Sequence, residues 1–353
     1  MIAGAPDIRV GLAGYGTGGA FFHAPLIAAV PGLRLTAVVT RDPARAERVR
    51  HEHPGAEVVG AADRLWDRCD LVVIATPNRT HVPLAIEALK AGLPVVVDKP
   101  LAGTAAEARD LLRLARDRGL MLAVYQNRRW DGDFLTVRRL LPELGDVHRF
   151  ESRFERWRPV PKGGWRESGG PEEIAGILYD LGSHLVDQAV QLFGPVSHVY
   201  AEADARRTGV LADDDAFIAL THTSGTRSHL WMSALAGRLG PRFRVLGSRA
   251  AYVKWGLDPQ EERLRAGERP AEGWGTEPAE RWGTLGVDGD DRPVPTEPGA
   301  YQRFYEGVVA CLRDGAPPPV PVESVVETLA VLEAARLSAA TGTVIAIPAE
   351  KAD

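Results

Sequence analysis

Cysteine is scarce in this chain of 353 residues, which contains only Cys69 and Cys311. Two cysteines without metal-ligand spacing exclude a disulfide framework and are typical of a reducing compartment. No apolar run approaches the roughly 20 residues that span a bilayer, and the chain does not begin with a basic segment followed by an apolar one. We therefore expect a cytoplasmic protein without a membrane role.

The chain also lacks an excess of positive charge, because 42 Lys and Arg residues face 47 Asp and Glu residues and the formal net charge is −5. Nucleic-acid-binding proteins usually carry a basic face, so no nucleic-acid partner is expected. The hydrophobic fraction of 45% is ordinary for a globular protein. A length of 353 residues exceeds the usual size of one domain and predicts two.

Short apolar runs alternate with helical patterns in the first third of the chain. The runs are continuous rather than alternating, which is typical of parallel strands that are covered on both faces. This repeated β–α–β order predicts a doubly wound Rossmann domain with right-handed crossovers, which we place at residues 1–127. The predicted strands are 8–13, 33–40, 71–75, 95–97 and 120–124, and two of the predicted helices are 78–91 and 104–118.

The pattern changes in residues 128–353, which we assign to a second domain. Partial alternation of apolar residues there predicts an α+β domain with a large, mainly antiparallel sheet. Residues 254–299 contain Trp255, Trp274 and Trp282 among many glycines and prolines, and we interpret them as an ordered loop excursion. The predicted strands are 151–155, 196–203, 216–223 and 243–245, followed by helices 301–313 and 322–340 that are expected to pack back toward the first domain.

A glycine-rich loop follows the first predicted strand, with Gly14, Gly16 and Gly19 in the spacing of dinucleotide-binding proteins and Tyr15 and Thr17 between them. The first glycine permits a tight turn, the second lets the backbone approach a pyrophosphate, and the third lets the following helix pack closely. An ordinary glycine-rich turn is the alternative. The preceding strand and the following helical pattern favour a nucleotide site.

The second predicted strand ends in Thr40, Arg41 and Asp42, where an NAD enzyme usually places an acid on the ribose 2′-hydroxyl. The planar donor fork of Arg41 suits a 2′-phosphate, and Thr40 could add a hydrogen bond. We therefore expect NADP(H) to be preferred, with NAD(H) possible. The alternatives are that Arg41 is a solvated surface charge and that Asp42 binds the ribose or caps the next helix.

Four further segments match a known pattern in order and spacing. They are Ala75-Thr76-Pro77-Asn78 with His81, Val97-Asp98-Lys99-Pro100, Tyr125-Gln126-Asn127-Arg128-Arg129-Trp130, and Leu178-Tyr179-Asp180-Leu181-Gly182-Ser183-His184. The pair Trp165-Arg166 belongs to the same pattern. On these residues the chain resembles the Gfo/Idh/MocA oxidoreductase family, and within it the branch that contains NADP-dependent scyllo-inositol dehydrogenases.

The resemblance implies hydride transfer to or from C4 of a nicotinamide, with a polyol, sugar or keto-sugar as substrate. It also implies that the second domain binds substrate and forms a homodimer or homotetramer through its open sheet. Two features depart from the family pattern. Asp98 stands where many relatives have glutamate, and Ile174, Ala175 and Gly176 stand where many have three glycines.

Oxidation of a secondary alcohol requires a base for the hydroxyl proton and a group that stabilises the developing alkoxide. His184, whose ordinary pKa is about 6.5, is the natural base. Asp180 lies four residues earlier. If both residues are on one helix they share a face, and Asp180 would hold the imidazole or bind a substrate hydroxyl. Lys99, just past a strand, would polarise the substrate oxygen. The resemblance assigns these three residues the catalytic roles, and no metal site is predicted around them.

Further residues of the matching segments are expected to line the cofactor crevice, because they follow the carboxyl ends of the predicted parallel strands. Asn78 could instead cap a helix, His23 is better explained by packing, and Arg128 and Arg129 are equally consistent with structural ion pairs. The predicted cofactor-binding residues outside the glycine loop and the second strand are Thr76, Pro77, Asn78, His81, Asp98, Lys99, Asn127, Trp165 and Arg166.

Three functions remain open from the sequence. The first is an NADP(H)-dependent oxidoreductase for an inositol or a related cyclic polyol. The second is the same enzyme class acting on an aldose, a keto-sugar or a small aldehyde. The third is a nucleotide-sensing regulatory protein on the same fold, without turnover. The joint presence of Lys99, Asp180 and His184 speaks against the third, since a sensor needs no proton-transfer groups.

Overall fold

The computed structural model describes residues 6–164, 167, 169 and 173–348. Its first sheet has six parallel strands in the order β3-β2-β1-β4-β5-β6, which confirms the predicted doubly wound Rossmann domain. The strands are β1 Ile8–Ala13, β2 Leu33–Val39, β3 Glu57–Val59, β4 Leu71–Ile74, β5 Val95–Asp98 and β6 Leu122–Tyr125. The helices that connect them are α1 Ala24–Ala29, α2 Pro43–Glu52, α3 His81–Lys90 and α4 Ala105–Asp117, with short helical turns at Gly19–His23, Ala62–Leu65 and Asn78–Thr80.

The central strands of this sheet are apolar because helices cover both of their faces. All four residues of β4 are fully buried, and so are Val95, Val96 and Val97 of β5. Helix α4 begins with a capping box, in which Thr104 accepts a hydrogen bond from the Glu107 backbone and the Glu107 carboxylate accepts one in return. Local capping thus marks where α4 begins, in agreement with the apolar strand β5 that precedes it.

The second sheet has nine strands in the order β14-β13-β12-β11-β7-β10-β9-β8-β15, and only the β7–β10 pair is parallel. This confirms the predicted large, mainly antiparallel sheet. Its strands are β7 Val147–Glu155, β8 Val196–Asp204, β9 Asp215–His222, β10 Arg227–Ser233, β11 Phe243–Gly247, β12 Ala251–Lys254, β13 Gly283–Val287, β14 Asp290–Val294 and β15 Ile345–Ala346. The accompanying helices are α5 Gly132–Leu144, α6 Ile177–Asp180, α7 Gly182–Phe193, α8 Gln260–Arg265, α9 Gln302–Asp314 and α10 Val322–Thr341, with helical turns at Asn127–Trp130 and Ala279–Arg281.

The two faces of this sheet have different surroundings. Along β9 the residues alternate strictly between buried and half-buried, with Ala216, Ile218 and Leu220 among the buried set. The buried face packs against α7 and α10. The opposite face presents half-buried side chains, among them Phe217 and Trp231, as expected for an antiparallel sheet that is covered on one side.

The predicted loop excursion at 254–299 is wrong in part. The segment contains α8 and the strands β13 and β14, which extend the second sheet at its edge. Each strand is five residues long, and Pro293 interrupts the apolar pattern of β14, so their periodicity is weak in the sequence. The expectation of order is confirmed at Trp274, which is buried and donates a hydrogen bond to Gln260 at 2.9 Å.

The last long helix lies against the first domain. Helix α10 packs on α4, and the Ala105 backbone at the start of α4 donates to Glu333 at 2.9 Å. Arg313 of α9 donates to the Pro6 carbonyl at 2.9 Å. The domain boundary near residue 127 stays a prediction. None of the helices in the described part of the chain is long and apolar enough to cross a membrane.

Candidate active site

The glycine loop turns sharply between β1 and the helical turn at Gly19–His23. Gly14 has a φ of +99°, and a Cβ atom there would lie 2.7 Å from the Ala75 carbonyl oxygen. A Cβ atom at Gly19 would collide with the Gly14 carbonyl, which explains the close packing of the following helix. A Cβ atom at Gly16 would have Arg45 Nη1 as its nearest neighbour, at 3.9 Å. The backbone at Gly16 is therefore open to a phosphate. The loop therefore fits a dinucleotide.

Gly18 is a further member of the loop that the sequence pattern did not single out. A Cβ atom at Gly18 would lie 2.5 Å from Oδ2 of Asp98, at the end of β5. The loop can approach β5 this closely only because position 18 carries no side chain. The contact brings the predicted phosphate loop beside the residue that precedes Lys99.

The Tyr15 side chain has a structural partner, and a contact of Tyr15 with the cofactor stays a prediction. Tyr15 is buried, and its hydroxyl donates to Glu52 of α2 at 2.7 Å. Burial, together with this hydrogen bond to Glu52, raises the pKa of the phenol well above its usual value. Only the Tyr15 backbone lies in the loop, whereas the neighbouring Thr17 is exposed. The side chain fixes α2 beneath the loop.

The end of β2 carries exposed groups with few partners. Arg41 Nε donates to the Gly60 carbonyl at 3.0 Å, and the Thr40 hydroxyl accepts from the Asp42 backbone at 3.2 Å. Asp42 caps α2 by accepting from the Arg45 backbone at 3.0 Å, as one of the alternative interpretations expected. Arg45 was missed in the sequence. Its guanidinium lies near Gly16, and Arg41 precedes it by four residues, so two exposed cations follow β2.

The segment after β4 serves mainly to support the crevice. Thr76 accepts from the Thr80 hydroxyl at 2.7 Å, and the buried amide of Asn78 donates to the Ile174 carbonyl at 3.0 Å. The expectation that His81 lines the crevice is wrong. Its ring is buried, with Nδ1 2.8 Å from the Pro100 carbonyl and Nε2 2.9 Å from the Thr76 carbonyl. His81 ties this segment to the turn after Lys99. Pro77 lies between Thr76 and Asn78 and precedes the helical turn at Asn78–Thr80.

Lys99 bridges the two domains from the carboxyl end of β5. Its ammonium donates to Oδ1 of Asp180 at 2.9 Å and to the Asp180 carbonyl at 2.5 Å. The peptide bond to Pro100 is cis. Asp98 accepts from the Lys99 backbone at 2.8 Å. Burial alone would raise the pKa of Asp98, but His23, with the further charges of Lys99 and His81, holds it below its usual value.

His23 confirms the packing interpretation. It is fully buried, and its Nδ1 lies 2.6 Å from the hydroxyl of Tyr305, on α9. Its ring also packs against Tyr125, with ring centroids 4.4 Å apart. On the other side, Nε2 lies 3.7 Å from Oδ2 of Asp98. His23 thus connects the second domain to the carboxylate beside Lys99.

Asp180 and His184 do not share one uninterrupted helix. Helix α6 ends at Asp180 and α7 begins at Gly182, so the predicted single helix is broken at Leu181. Asp213 holds the start of α6, because its carboxylate accepts from the Leu178 backbone at 2.6 Å and its carbonyl accepts from Ile177 at 2.8 Å. Burial raises the pKa of Asp213 to about 6. Sequence reasoning missed this residue, which is one of three consecutive aspartates.

The environment of His184 also differs from the expectation. Its Nδ1 is buried and has no hydrogen-bond partner among the described residues, so the predicted support from Asp180 through this atom is not formed. Burial lowers the pKa of His184 well below its usual value, and the charges of Lys99, Arg128, Arg242 and Arg156 lower it further. The imidazole is therefore neutral at neutral pH and able to accept a proton.

The segment before α6 keeps the backbone shape that favours glycine. Ile174, which stands where many relatives have glycine, has a φ of +52°, and Gly176 has a φ of +95°. A β-branched residue rarely adopts such a conformation. The Ile174 side chain packs on Gly103. A Cβ atom at Gly103 would lie 3.2 Å from Ile174 Cδ1. The departure from the family pattern therefore places an apolar side chain against Gly103.

The remaining predicted residues divide into three groups. Asn127 is buried in the helical turn after β6. Arg128 and Arg129 form ion pairs, with Glu261 at 2.5 Å and Asp187 at 2.6 Å respectively. Trp165 and Arg166 lie outside the described residues. Within the described ranges, no group of three or more histidine, cysteine, aspartate or glutamate side chains could hold a metal ion.

A Rossmann sheet with a phosphate-binding turn, and a lysine, an aspartate and a neutral histidine at its carboxyl edge, define a dinucleotide-dependent oxidoreductase. A family model described as the oxidoreductase family NAD-binding Rossmann fold matches residues 8–126. A second, described as the oxidoreductase family C-terminal alpha/beta domain, matches residues 139–347. The chain belongs to the Gfo/Idh/MocA oxidoreductase family, and the predicted resemblance is confirmed.

Similar proteins cover nearly the whole chain. The uncharacterized oxidoreductase YdgJ of Escherichia coli (strain K12) is 44% identical over 93% of this chain and 95% of its own length. The scyllo-inositol 2-dehydrogenase (NADP(+)) IolW of Bacillus subtilis (strain 168) is 34% identical over 93% of this chain and 92% of its own. The structure of the YPO2259 putative oxidoreductase from Yersinia pestis superposes with a TM-score of 0.90 at 41% identity, covering 98% of this chain and 99% of the other.

Proposed function

We propose that this protein is an NADP(H)-dependent oxidoreductase that transfers a hydride between a nicotinamide and a cyclic polyol or sugar, of the scyllo-inositol or inosose type. One observation carries the proposal. Lys99 from the first domain and Asp180 from the second form an ion pair at 2.9 Å, beside a histidine that burial and neighbouring charges keep neutral. Charge placed at the junction of a nucleotide domain and a second domain suits a substrate that reacts between them.

The residues have separate parts in the proposed reaction. A bound nicotinamide would accept the hydride from the carbinol carbon or return it. His184 takes the hydroxyl proton at Nε2, since Nδ1 is enclosed, and returns it in the reverse direction. The Lys99 ammonium stabilises the developing alkoxide. Asp180 holds that ammonium in place and can accept a hydrogen bond from a second substrate hydroxyl.

The preference for NADP(H) rests on the two cations after β2. Arg41 and Arg45 are exposed arginines, and Arg45 lies next to the open side of Gly16. Asp42, the acid that could bind a ribose hydroxyl, is already occupied as the cap of α2. An exposed arginine pair suits a 2′-phosphate better than a 2′-hydroxyl. The printed name of IolW, which includes NADP(+), agrees with this preference.

Substrate turnover tests the proposal directly. Purified protein is mixed with NADPH or NADP⁺ and a panel of inositols, inososes, aldoses and keto-sugars, and the reduced-nicotinamide absorbance is followed. We expect turnover of at least one cyclic polyol or its ketone, faster with NADP(H) than with NAD(H). Tight NADPH binding without turnover of any substrate would contradict the proposal and favour the nucleotide-sensing alternative. Turnover restricted to open-chain aldehydes would contradict the substrate class alone.

We further propose a cytoplasmic homodimer or homotetramer, assembled through the open face of the second sheet. Phe217, His229 and Trp231 form an aromatic group on that face, and the Arg153 guanidinium lies 3.9 Å from the Trp231 ring centroid. Half-buried aromatic residues are typical of subunit interfaces. Light scattering tests the assembly. We expect a mass of two or four chains and dissociation by Trp231→Arg, and a monomeric wild-type protein would contradict the proposal.

A further inference from the structure

A cavity of about 600 Å³ opens in the second domain beside the candidate active site. Its described lining includes seven arginines and four carboxylates, whereas the whole chain is negative by five charges. Arg128, Arg156 and Arg242 line this cavity, and the same three guanidiniums act on the pKa of His184. The positive charge of the cavity therefore lies close enough to His184, the proposed base, to act on its pKa.

Several of these arginines already have anionic partners. Arg128 pairs with Glu261 at 2.5 Å and with Asp131 at 3.3 Å. Arg242 pairs with Asp133 at 3.3 Å and donates to the Gln188 side chain at 2.8 Å. Buried charges are normally compensated in this way, and these pairs need no ligand to explain them.

Arg156 is different. Among the residues that the structure describes, its guanidinium has neither an ion pair nor a hydrogen bond, although the side chain is half-buried. It lies over the ring of Phe154, 4.7 Å from the ring centroid. Burial lowers the pKa of Arg156, the charge of Arg158 lowers it further, and the carboxylates of Asp180 and Glu261 offset part of this effect. A partly desolvated guanidinium that neither carboxylate contacts directly keeps unused hydrogen-bond donors, so the site suits an anion or several acceptor oxygens.

The backbone holds Arg156 in a fixed position. Its N–H donates to the Ser233 carbonyl at 2.8 Å, and its carbonyl accepts from Ala236 at 3.0 Å. The next residue, Trp157, forms an isolated β-bridge with Leu235. These contacts lie beyond the end of the parallel β7–β10 pair and fix the backbone on both sides of Arg156, so the guanidinium is presented to the cavity from a held segment.

We propose that Arg156 binds an anionic oxygen group of the substrate, a carboxylate or a phosphate, so that the enzyme prefers acidic or phosphorylated sugars or polyols to their neutral counterparts. The proposal rests on the proposed function and narrows its substrate class. The cofactor phosphates have separate binding groups in the glycine loop and in Arg41 and Arg45. A compensating anion at Arg156 would also offset one of the charges that disfavour protonation of His184.

The test compares matched substrates and variants. Catalytic efficiency is measured for glucose, glucuronate and glucose 6-phosphate, and for an inositol with its monophosphate, in wild type, Arg156→Met and Arg156→Lys. Arg281→Met is the matched control, because Arg281 lines the same cavity but already donates to the Leu257 carbonyl at 2.7 Å. NADPH affinity is measured in parallel by fluorescence.

We expect the wild type to favour the anionic member of a pair by at least about tenfold, and Arg156→Met to lower kcat/KM for that member by about 10- to 100-fold. The neutral member and NADPH affinity should change by less than about threefold, and Arg156→Lys should retain part of the preference. Preference for phosphate or for carboxylate identifies the source of the anion. Equal losses for neutral and anionic substrates, or a wild type without preference, would overturn the inference.

A separate binding measurement keeps this inference distinct from the proposed function. If neither these pairs nor any substrate of the wider panel is turned over, the proposed function is contradicted, and Arg156 is then tested by titrating the wild type and Arg156→Met with glucuronate and with glucose 6-phosphate in the presence of NADP⁺. Binding that Arg156→Met abolishes supports the anion site without catalysis. Absence of binding to the wild type, or equal binding to both proteins, overturns it.

Discussion

The two ends of the candidate crevice use charge in opposite ways. At one end, which we call the adenine end, Thr40 is half-buried, Arg41 and Arg45 are exposed, and their contacts are to nearby backbone groups and to the exposed Asp42. At the other, the nicotinamide end, Lys99 and His184 are largely buried among other charges. Solvent and salt screen the first set, whereas partial exclusion of water strengthens every interaction in the second. The same kinds of residue therefore suit recognition at one end and catalysis at the other.

The two ends also differ in how the chain assembles them. The adenine end comes from one short segment that runs from the end of β2 into the first turn of α2. The nicotinamide end joins Lys99 to Asp180, 81 residues away, and depends on Asp213 to hold the start of α6. A contiguous site tolerates local change, whereas a site between domains depends on every contact that positions the second domain. We expect substitutions at the nicotinamide end to have much larger effects.

The largest effect is expected from Lys99→Met. This change removes the ammonium that stabilises the alkoxide, together with its ion pair to Asp180. Loss of one such stabilising group costs about 100- to 1,000-fold in kcat. Steady-state kinetics with NADPH and the best substrate measure it, and Lys90→Met, at the exposed end of α3, is the control. NADPH affinity should remain within about threefold, and a loss confined to KM would contradict the assigned role.

His184→Asn should lower kcat by about 100-fold, because it removes the proposed base. The pKa of His184 lies well below its usual value, so alcohol oxidation by the wild type should stay constant as the pH falls through about 6.5 and decline only at lower pH. Full pH profiles of the wild type and the variant measure both effects, with the exposed His51→Asn as control. A wild-type inflection near 6.5 would contradict a buried neutral base, and an unchanged kcat would transfer the role to another group.

The sequence predicted the nicotinamide end less completely than the adenine end. The residue types Lys99, Asp180 and His184 are recognisable from their motifs, but their geometry is not. The break at Leu181, the pairing of Asp180 with Lys99 and the lowered pKa of His184 all depend on tertiary contacts. Asp213 and Arg156 carry no local pattern that marks them. Five of the six Rossmann strands were predictable because burial on both faces leaves continuous apolar runs. The sequence analysis missed β3, which has only three residues, and β13 and β14, which are short strands at one end of the second sheet.

A smaller effect is expected at the adenine end. Arg41→Ala should weaken NADPH binding by about tenfold and NADH binding by less than about threefold, because the guanidinium is expected to contact only the 2′-phosphate. Fluorescence titration with both cofactors measures the ratio. Arg50→Ala, an exposed arginine of α2 that pairs with Glu47, is the matched control. Raising the salt concentration should reduce the difference, and equal weakening of both cofactors would refute the 2′-phosphate assignment.

The smallest effect concerns Asp213, which supports the nicotinamide end without touching the crevice groups. Its folded-state pKa of about 6 exceeds the ordinary aspartate value of 3.8, so the folded protein binds more protons than the unfolded chain between these values. The carboxyl therefore adds stability as the pH falls from 7 to 5, by about 1 kcal/mol. Asp213→Asn should remove this increment. Urea unfolding at both pH values measures it against Asp110→Asn, an exposed control on α4. If Asp213→Asn left the pH dependence of stability unchanged, the folded Asp213 would titrate like an exposed aspartate. The nicotinamide end would then differ less from the adenine end in how it uses buried charge.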